Sequence, residues 1–343
     1  MIARGHSVDI ITSATPESLS EEVIDDIRVF RYPSLGEPLG NPIITGISSL
    51  RKQLSQYDVI HIHGIYTYLA FRTVMYIDVS IHQRVILTHH GRVIYLKSIK
   101  NLFPKIYENT IIRYILNQVD RVVVLSDSDK KQIKSLGMDQ NHISIIPNGI
   151  DTNLFRRSDP EEINAFLEKY NLHGKKIILY LAVVSKRKGI YDLINSLSSV
   201  SIENAHLLVV GSGPDMDKAQ LLAEQIGLSK RITFSGKLSF KELLASYSVA
   251  SVYVLPSYFE GMPTTIIEAL VMGVPVIATR IPGVVDNFSD YATLVEPGNP
   301  GELARAIEYV LNNGDMRCKL EDSEIARFDS KQAFEKYAAI YQK

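Results

Sequence analysis

Pro256-Ser257-Tyr258-Phe259-Glu260-Gly261-Met262-Pro263-Thr264-Thr265-Ile266-Ile267-Glu268-Ala269-Leu270 reads as a strand end, a turn and the opening turns of a helix. The apolar run 252–255 just upstream supplies a buried strand. Glu260-Gly261 make the turn, and Pro263 suits a first helical position, where its missing N–H costs nothing. The free N–H groups of such a first turn form a site for phosphate. Glu268, one turn further in, is a fixed acceptor for paired hydroxyls such as those of a ribose. Glu260 hangs at the mouth, where it can hold sugar hydroxyls. Ribose, diphosphate and hexose follow one another in this order in a nucleotide sugar. Taken alone, the two carboxylates are equally ordinary compensation of a helix dipole. Their neighbours decide.

Outward from this segment, short apolar runs alternate with helical-period segments, the pattern of βαβ units and parallel sheets. Strands are expected at 8–12, 29–32, 59–63, 85–88, 122–125 and 144–146 in the first half. In the second they fall at 177–183, 207–210, 232–234, 252–255, 276–278 and 293–295. Residues 151–174 are polar, contain Pro160 and lack a strand pattern, so the linker is placed there. The fold class is therefore α/β, two Rossmann-like parallel-sheet domains. Ligands of such sheets lie beyond the carboxyl ends of the strands, and the cleft between the domains is the expected site. Near the end, 330–341 reads as an amphipathic helix with Phe334, Tyr337 and Ile340 on one face.

Composition narrows the classes. The chain has 343 residues, enough for two domains, with 45% hydrophobic and 22% charged residues. A net charge of −1 without a long basic run argues against nucleic acid. Cys318 is the single cysteine, which fits a reducing cytoplasm. No stretch reads as a membrane span, and residues 1–12 lack the apolar core of a signal peptide.

Other stretches carry chemistry together with a plainer reading. Lys186-Arg187-Lys188-Gly189 follows a strand and opens a helix. Its cations can neutralise a departing diphosphate, or form a solvated basic turn. Gly211-Ser212-Gly213-Pro214 lacks the third glycine of a dinucleotide fingerprint, and tight turning is its expected job. Asn148-Gly149 is a strong turn former. His61 and His63 share one face of a strand and can chelate together. No further ligand follows at suitable spacing, so contact with a polar ligand is expected of them and of His89-His90. Asp127-Ser128-Asp129 and Asp215-Met216-Asp217 resemble metal-binding triplets, yet both open helices, where carboxylates cap and balance the dipole. The stretch 91–117 mixes Arg92, Lys97, Lys100, Lys105 and Arg113 with Tyr95, Leu96, Ile99, Leu102 and Phe103. It suits either an anionic membrane surface or a partly buried helix with snorkelling lysines.

These residues together resemble glycosyltransferase family 4, the group 1 retaining enzymes of the GT-B fold. The likeness runs through Arg4-Gly5-His6-Ser7-Val8, Asp58-Val59-Ile60-His61-Ile62-His63 and Thr88-His89-His90-Gly91. It continues through Ile146-Pro147-Asn148-Gly149-Ile150-Asp151, Lys188-Gly189, Gly211-Ser212-Gly213-Pro214 and Phe234-Ser235-Gly236. Most specific are Glu260-Gly261-Met262-Pro263 through Glu268-Ala269-Leu270, then Gly273-Val274-Pro275-Val276-Ile277-Ala278-Thr279. The resemblance implies an acceptor-side domain at 1–155, a donor domain at 156–327 and a helix at 328–343 crossing back to the first. It implies that Glu268 holds the ribose, Glu260 the donor sugar, and Gly261, Met262, Pro263 and Thr264 the diphosphate and sugar. Lys188 would stabilise the leaving phosphates and His90 would stand near the transferred sugar. Arg187, Gly211 and Lys237 join the donor set, and His63 and Asn148 the acceptor side. The expected reaction is metal- and cofactor-free transfer, with retention, from a UDP- or GDP-sugar to a glycan or lipid-linked acceptor. Cell-surface glycan synthesis in the cytoplasm, with peripheral contact at the inner membrane face, is the expected setting.

Two departures stand out. Where the family has an Arg five residues before the Lys-Gly lysine, this chain has Val183. The family also begins with a strand, a Gly-rich loop and a helix ending in the Arg-Gly-His segment, and Met1 falls at the end of that helix. The expectation is an internal start or a fragment, with a first domain of poor stability. A strand of roughly four core side chains at ~1.5–3 kcal/mol each is comparable to a domain's whole stability of ~5–15 kcal/mol. Rival readings are a sugar-nucleotide epimerase of the same fold, a non-catalytic nucleotide-sugar-binding protein, and a metal-dependent hydrolase.

Overall fold

The computed structural model describes residues 2–15, 18–36, 42–46, 49–77, 83–91, 107–313 and 320–342. The membrane-surface reading of 92–106 and the single Cys318 lie outside these residues. Strands in chain order are β1 Asp9–Ser13, β2 Glu21–Ile24, β3 Ile27–Tyr32, β4 Val59–His63, β5 Arg84–His89, β6 Arg121–Val124 and β7 Ile143–Ile145. They continue as β8 Lys176–Leu181, β9 Ala205–Val210, β10 Ile232–Gly236, β11 Ala250–Leu255, β12 Val276–Thr279 and β13 Ala292–Val295.

Contacts divide the chain into two compact units, Met1–Ile146 with Glu335–Lys343, and Pro147–Phe334. The boundaries expected after 155 and 327 by contrast split material that packs together. The Ile150 N–H donates to the Phe328 carbonyl at 2.9 Å, and the Ser330 N–H returns to the Ile150 carbonyl at 2.8 Å. A Cβ on Gly149 would sit 2.8 Å from the Ser330 backbone, so the Asn-Gly pair admits this close passage as well as a turn. Phe328 is fully buried and stacks on Phe288, which anchors 328 in the second unit.

The second unit is one six-stranded parallel sheet in the order β10-β9-β8-β11-β12-β13. Numbered within the unit this is 3-2-1-4-5-6, the doubly wound order whose topological switch point lies between its first and fourth strands. Val, Ile and Leu dominate because both faces are covered, and β9 is buried along its whole length. Ile178, Val209, Val252 and Val254 pack with Leu193 and Ile194 of the helix Ile190–Leu197 and Ile307 of the helix Pro300–Asn312. Each such side chain contributes ~1.5–3 kcal/mol of burial.

In the first unit, β4-β5-β6-β7 form a parallel sheet, and β1-β3-β2 a separate one in which β2 runs antiparallel to β3. The sequence pattern leads to a single first sheet. Among the described residues β1 pairs only with β3, and β4 only with β5. Strand β2 is absent from the sequence expectation because Glu21-Glu22-Val23-Ile24 is short, charged and at an edge. Asp25 and Asp26, with φ of 50° and 64°, turn it back on β3, a conformation suited to tight hairpins. No helix among the described residues is long and apolar enough to cross a membrane.

Candidate active site

The switch point brings together the loops after β8 and β11. After β8, Lys186–Lys188 form a 3-10 turn ending at Gly189, whose φ is 74°. A Cβ on Gly189 would lie 1.9 Å from the Pro256 carbonyl oxygen. Glycine is therefore required twice over, for backbone conformation and for contact between the loops. The Tyr258 N–H donates to the Arg187 carbonyl at 2.9 Å, and Arg187 Nη1 donates to the Phe259 carbonyl at 3.2 Å. So held, Lys188 Nζ reaches Glu260 Oε1 at 2.5 Å. Ser257 Oγ donates to the same oxygen at 2.7 Å, and Thr279 Oγ1 donates to the Ser257 carbonyl. Both charged side chains are nearly enclosed, 15% exposed for Lys188 and 8% for Glu260. Glu260 is a carboxylate buried against a cation and a hydroxyl.

Beyond Gly261 the chain enters the helix Thr264–Val271. Pro263 is its N-cap rather than its first residue, with φ −71° and ψ 119°. Proline fixes only φ, and the extended ψ lets its carbonyl begin the helical ladder from outside. Met262 is buried, and its carbonyl accepts from Asn148 Nδ2 at 2.9 Å while its Sδ accepts from the Asn148 N–H at 3.1 Å. Asn148, expected on the acceptor side, thus belongs to the second unit and braces the segment at Met262. Glu268 accepts a hydrogen bond from Tyr247 OH at 2.8 Å. Burial raises its pKa, against the lowering hydrogen bonds of Tyr247 and Thr264.

The Gly211 loop supports this arrangement from the side. Gly211 has φ 123°, and its Cβ would meet the Ala182 carbonyl at 2.2 Å, as that of Gly213 would meet Val184 at 2.3 Å. The two glycines serve close passage between the loops after β8 and β9, beyond simple turning. Asp215, expected to cap the helix Met216–Gln225, turns its carboxylate to the Lys186 N–H at 2.6 Å and offers that helix no side-chain cap. Ser126, not an aspartate, caps the helix Asp127–Ser135 by accepting from the Asp129 N–H. Val183 is exposed, and Lys237 is exposed just past β10 at the sheet's outer edge.

Ser257, Thr279, Tyr247 and Gly283 escaped the sequence reading. Gly283 lets the helix Pro282–Phe288 touch the turn, since its Cβ would lie 1.9 Å from the Gly261 carbonyl oxygen. The one signal available was Gly283 directly after Pro282, at a helix start.

In the first unit, His63 and His90 follow one another across the ends of β4 and β5. Nδ1 of His63 lies 3.0 Å from Nε2 of His90, and the rings stack. His61 Nε2 lies 2.7 Å from Thr88 Oγ1 and its Nδ1 2.6 Å from Tyr341 OH, on the helix Ser330–Gln342. Burial, reinforced by His63 and His90, holds the His61 pKa at about 3. Burial also lowers His63 and His90. No three His, Cys, Asp or Glu side chains among the described residues form a set that could hold a metal ion.

The family described as "Glycosyl transferases group 1" matches residues 162–326, and "Glycosyltransferase Family 4" matches residues 1–154. The chain belongs to the group 1, family 4 glycosyltransferases. This glycosyltransferase is 25% identical over 364 residues to N-acetyl-alpha-D-glucosaminyl L-malate synthase of Bacillus anthracis, covering 98% of this chain and 89% of that protein. It is 27% identical over 217 residues to the GDP-mannose-dependent alpha-(1-6)-phosphatidylinositol monomannoside mannosyltransferase of Mycobacterium tuberculosis, covering 60% and 56% of the two. Its fold matches the crystal structure of Anabaena HepE in complex with UDP and glucose, with a TM-score of 0.74. That likeness is 18% identical and covers 93% of this chain and 87% of HepE, so the glycosyltransferase shares the GT-B fold of two Rossmann-like units.

Proposed function

We propose that this glycosyltransferase moves a hexose, with retention, from a UDP- or GDP-sugar to a hydroxyl of a glycan or lipid-linked acceptor. The observation that carries the donor half is the Lys188–Glu260 pair at the switch point, beside the amino end of the helix Thr264–Val271. Glu268 takes the ribose hydroxyls. The helix end and Lys188 take the diphosphate, with the Arg187 guanidinium in place of the arginine that Val183 replaces. Glu260 takes the sugar's hydroxyls.

As donor binds, Lys188 is drawn from Glu260 toward phosphate, and sugar hydroxyls replace it at the carboxylate. The bond from C1 to the β-phosphate oxygen breaks with its electron pair on that oxygen. The acceptor oxygen bonds to C1 on the same face and passes its proton to the departing phosphate. Lys188 stabilises the negative charge as it grows, an effect typically worth ~2.7–4 kcal/mol per donor. No metal enters this scheme, the cation being supplied by Lys188.

UDP and glucose in the HepE structure, GDP-mannose in the mycobacterial name and N-acetylglucosaminyl transfer in the Bacillus one support an activated-sugar donor. The phosphatidylinositol mannoside in the second name supports a lipid-linked acceptor. A reducing cytoplasm, at the inner face of the membrane, suits the single cysteine and the basic, apolar composition of 91–117. Calorimetric titration with UDP, GDP and their sugars tests the donor, and NMR of the product's anomeric centre tests retention. Inverted product, or binding of no nucleotide, overturns the proposal.

A further inference from the structure

We infer that Tyr247 is a positioning residue for nucleotide binding, its hydroxyl fixing the Glu268 carboxylate in the orientation that receives a ribose diol. The inference rests on the donor reading above. Tyr247 lies in the helix Phe240–Val249 and is fully buried. A phenylalanine would fill the same space, and a buried phenol carries a hydroxyl that must find an acceptor. The acceptor is Glu268 Oε2 at 2.8 Å, with the Thr265 carbonyl a weaker second at 3.4 Å. Tyr253, fully buried in β11, donates to Thr265 Oγ1 at 2.6 Å and to the Leu181 carbonyl at 3.3 Å. Its ring centroid is 6.2 Å from that of Tyr247. The pair ties the first turn of the helix Thr264–Val271 to β8, and the carboxylate to the helix beside it. Hydrogen bonds to an ionised acceptor are strong and directional. Tyr247, with Thr264 as a further donor, restrains the carboxylate from swinging, and its remaining lone pairs present a steady target to two adjacent hydroxyls.

The test measures dissociation constants of UDP and GDP, each against its 2′,3′-dideoxy form, in wild type and Tyr247→Phe. Wild type should prefer the ribose form at least about tenfold, or ~1.4 kcal/mol. Tyr247→Phe should bring that ratio close to one and leave the dideoxy constant unchanged. Equal weakening of both forms marks a merely structural role and overturns the inference.

A second arm needs no ligand: the Glu268 carboxyl is titrated by 13C NMR. The titratable groups facing it are Tyr247 from its helix and Tyr253 from β11. Loss of the Tyr247 hydroxyl removes a lowering hydrogen bond, so the already raised titration should move higher still. An unchanged titration overturns the hydrogen bond as the link. Should Tyr247→Phe not fold, 3-fluorotyrosine at 247 keeps the ring and strengthens the donor, and Glu268 should then titrate lower than in wild type. If wild type binds neither nucleotide, the donor reading falls and the ribose role with it, whereas the titration alone decides the contact.

Discussion

Replacing Lys188 by methionine removes the cation from a carboxylate that the fold has already enclosed. Lys188 Nζ and Glu260 Oε1 are 2.5 Å apart, with 15% and 8% of the side chains exposed. Breaking one side of a buried pair costs ~3–5 kcal/mol, because the survivor is left charged and desolvated. Here Ser257 still donates to the carboxylate at 2.7 Å, and the lysine head has some water. The lower end, about 3 kcal/mol, is therefore expected. For a unit of this size that is roughly 6–12 °C in Tm, at ~2–4 °C per kcal/mol. Glu260→Gln should cost a similar amount from the other side. The double variant Lys188→Met/Glu260→Gln buries no charge, and should lie well above the sum of the singles, with a coupling of about 2–3 kcal/mol. Calorimetry on the unliganded protein reads all four members of the cycle. Additive effects, or a single-variant loss below about 1 kcal/mol, would refute the reasoning. Transfer activity of Lys188→Met should fall by ~10²–10³-fold if the lysine also meets the leaving phosphates.

Further predictions test the surroundings. Gly189→Ala adds a Cβ 1.9 Å from the Pro256 carbonyl oxygen at a φ of 74°. It should cost at least about 2 kcal/mol in chemical unfolding and weaken donor binding, because the loops that join Lys188 to Glu260 must part. Glu268→Gln should weaken UDP or GDP about tenfold in calorimetry, as a charged acceptor becomes a neutral one. In the first unit, His61 titrates at about 3 when folded against an ordinary 6.5, so the unfolded chain binds more protons between these values. Stability should therefore fall as pH drops from 6.5 toward 3, by about 2 kcal/mol at pH 5 for this group alone. Melts of wild type and His61→Gln across that range check the slope, which the variant should lose.

Every expected strand has a counterpart, most plainly where parallel strands buried on both faces are written as continuous apolar runs, as in Ala205–Val210. Strand β2 has no such run, being a charged edge arm specified by its turn. The resemblance put Lys188 and Glu260 in one donor set, and the loops after β8 and β11 that carry them meet in the doubly wound order. What holds them was not. Tyr247 and Thr279 read as helix and strand interior, and their roles depend on partners 21 and 22 positions away. Gly149 and Asn148 look like punctuation until the 328–330 backbone and Met262 are seen against them. Pro263 slipped one place because its ring sets φ and leaves ψ to its surroundings.

The central claim is that the second unit grips a donor by its nucleotide at the strand switch, and a crystal of the protein soaked with a UDP- or GDP-sugar examines it directly. The account requires density for the ribose at Glu268, for the diphosphate at Lys188 and the Thr264 helix end, and for the sugar at Glu260. A nucleotide bound elsewhere, or an empty switch point at saturating ligand, contradicts it.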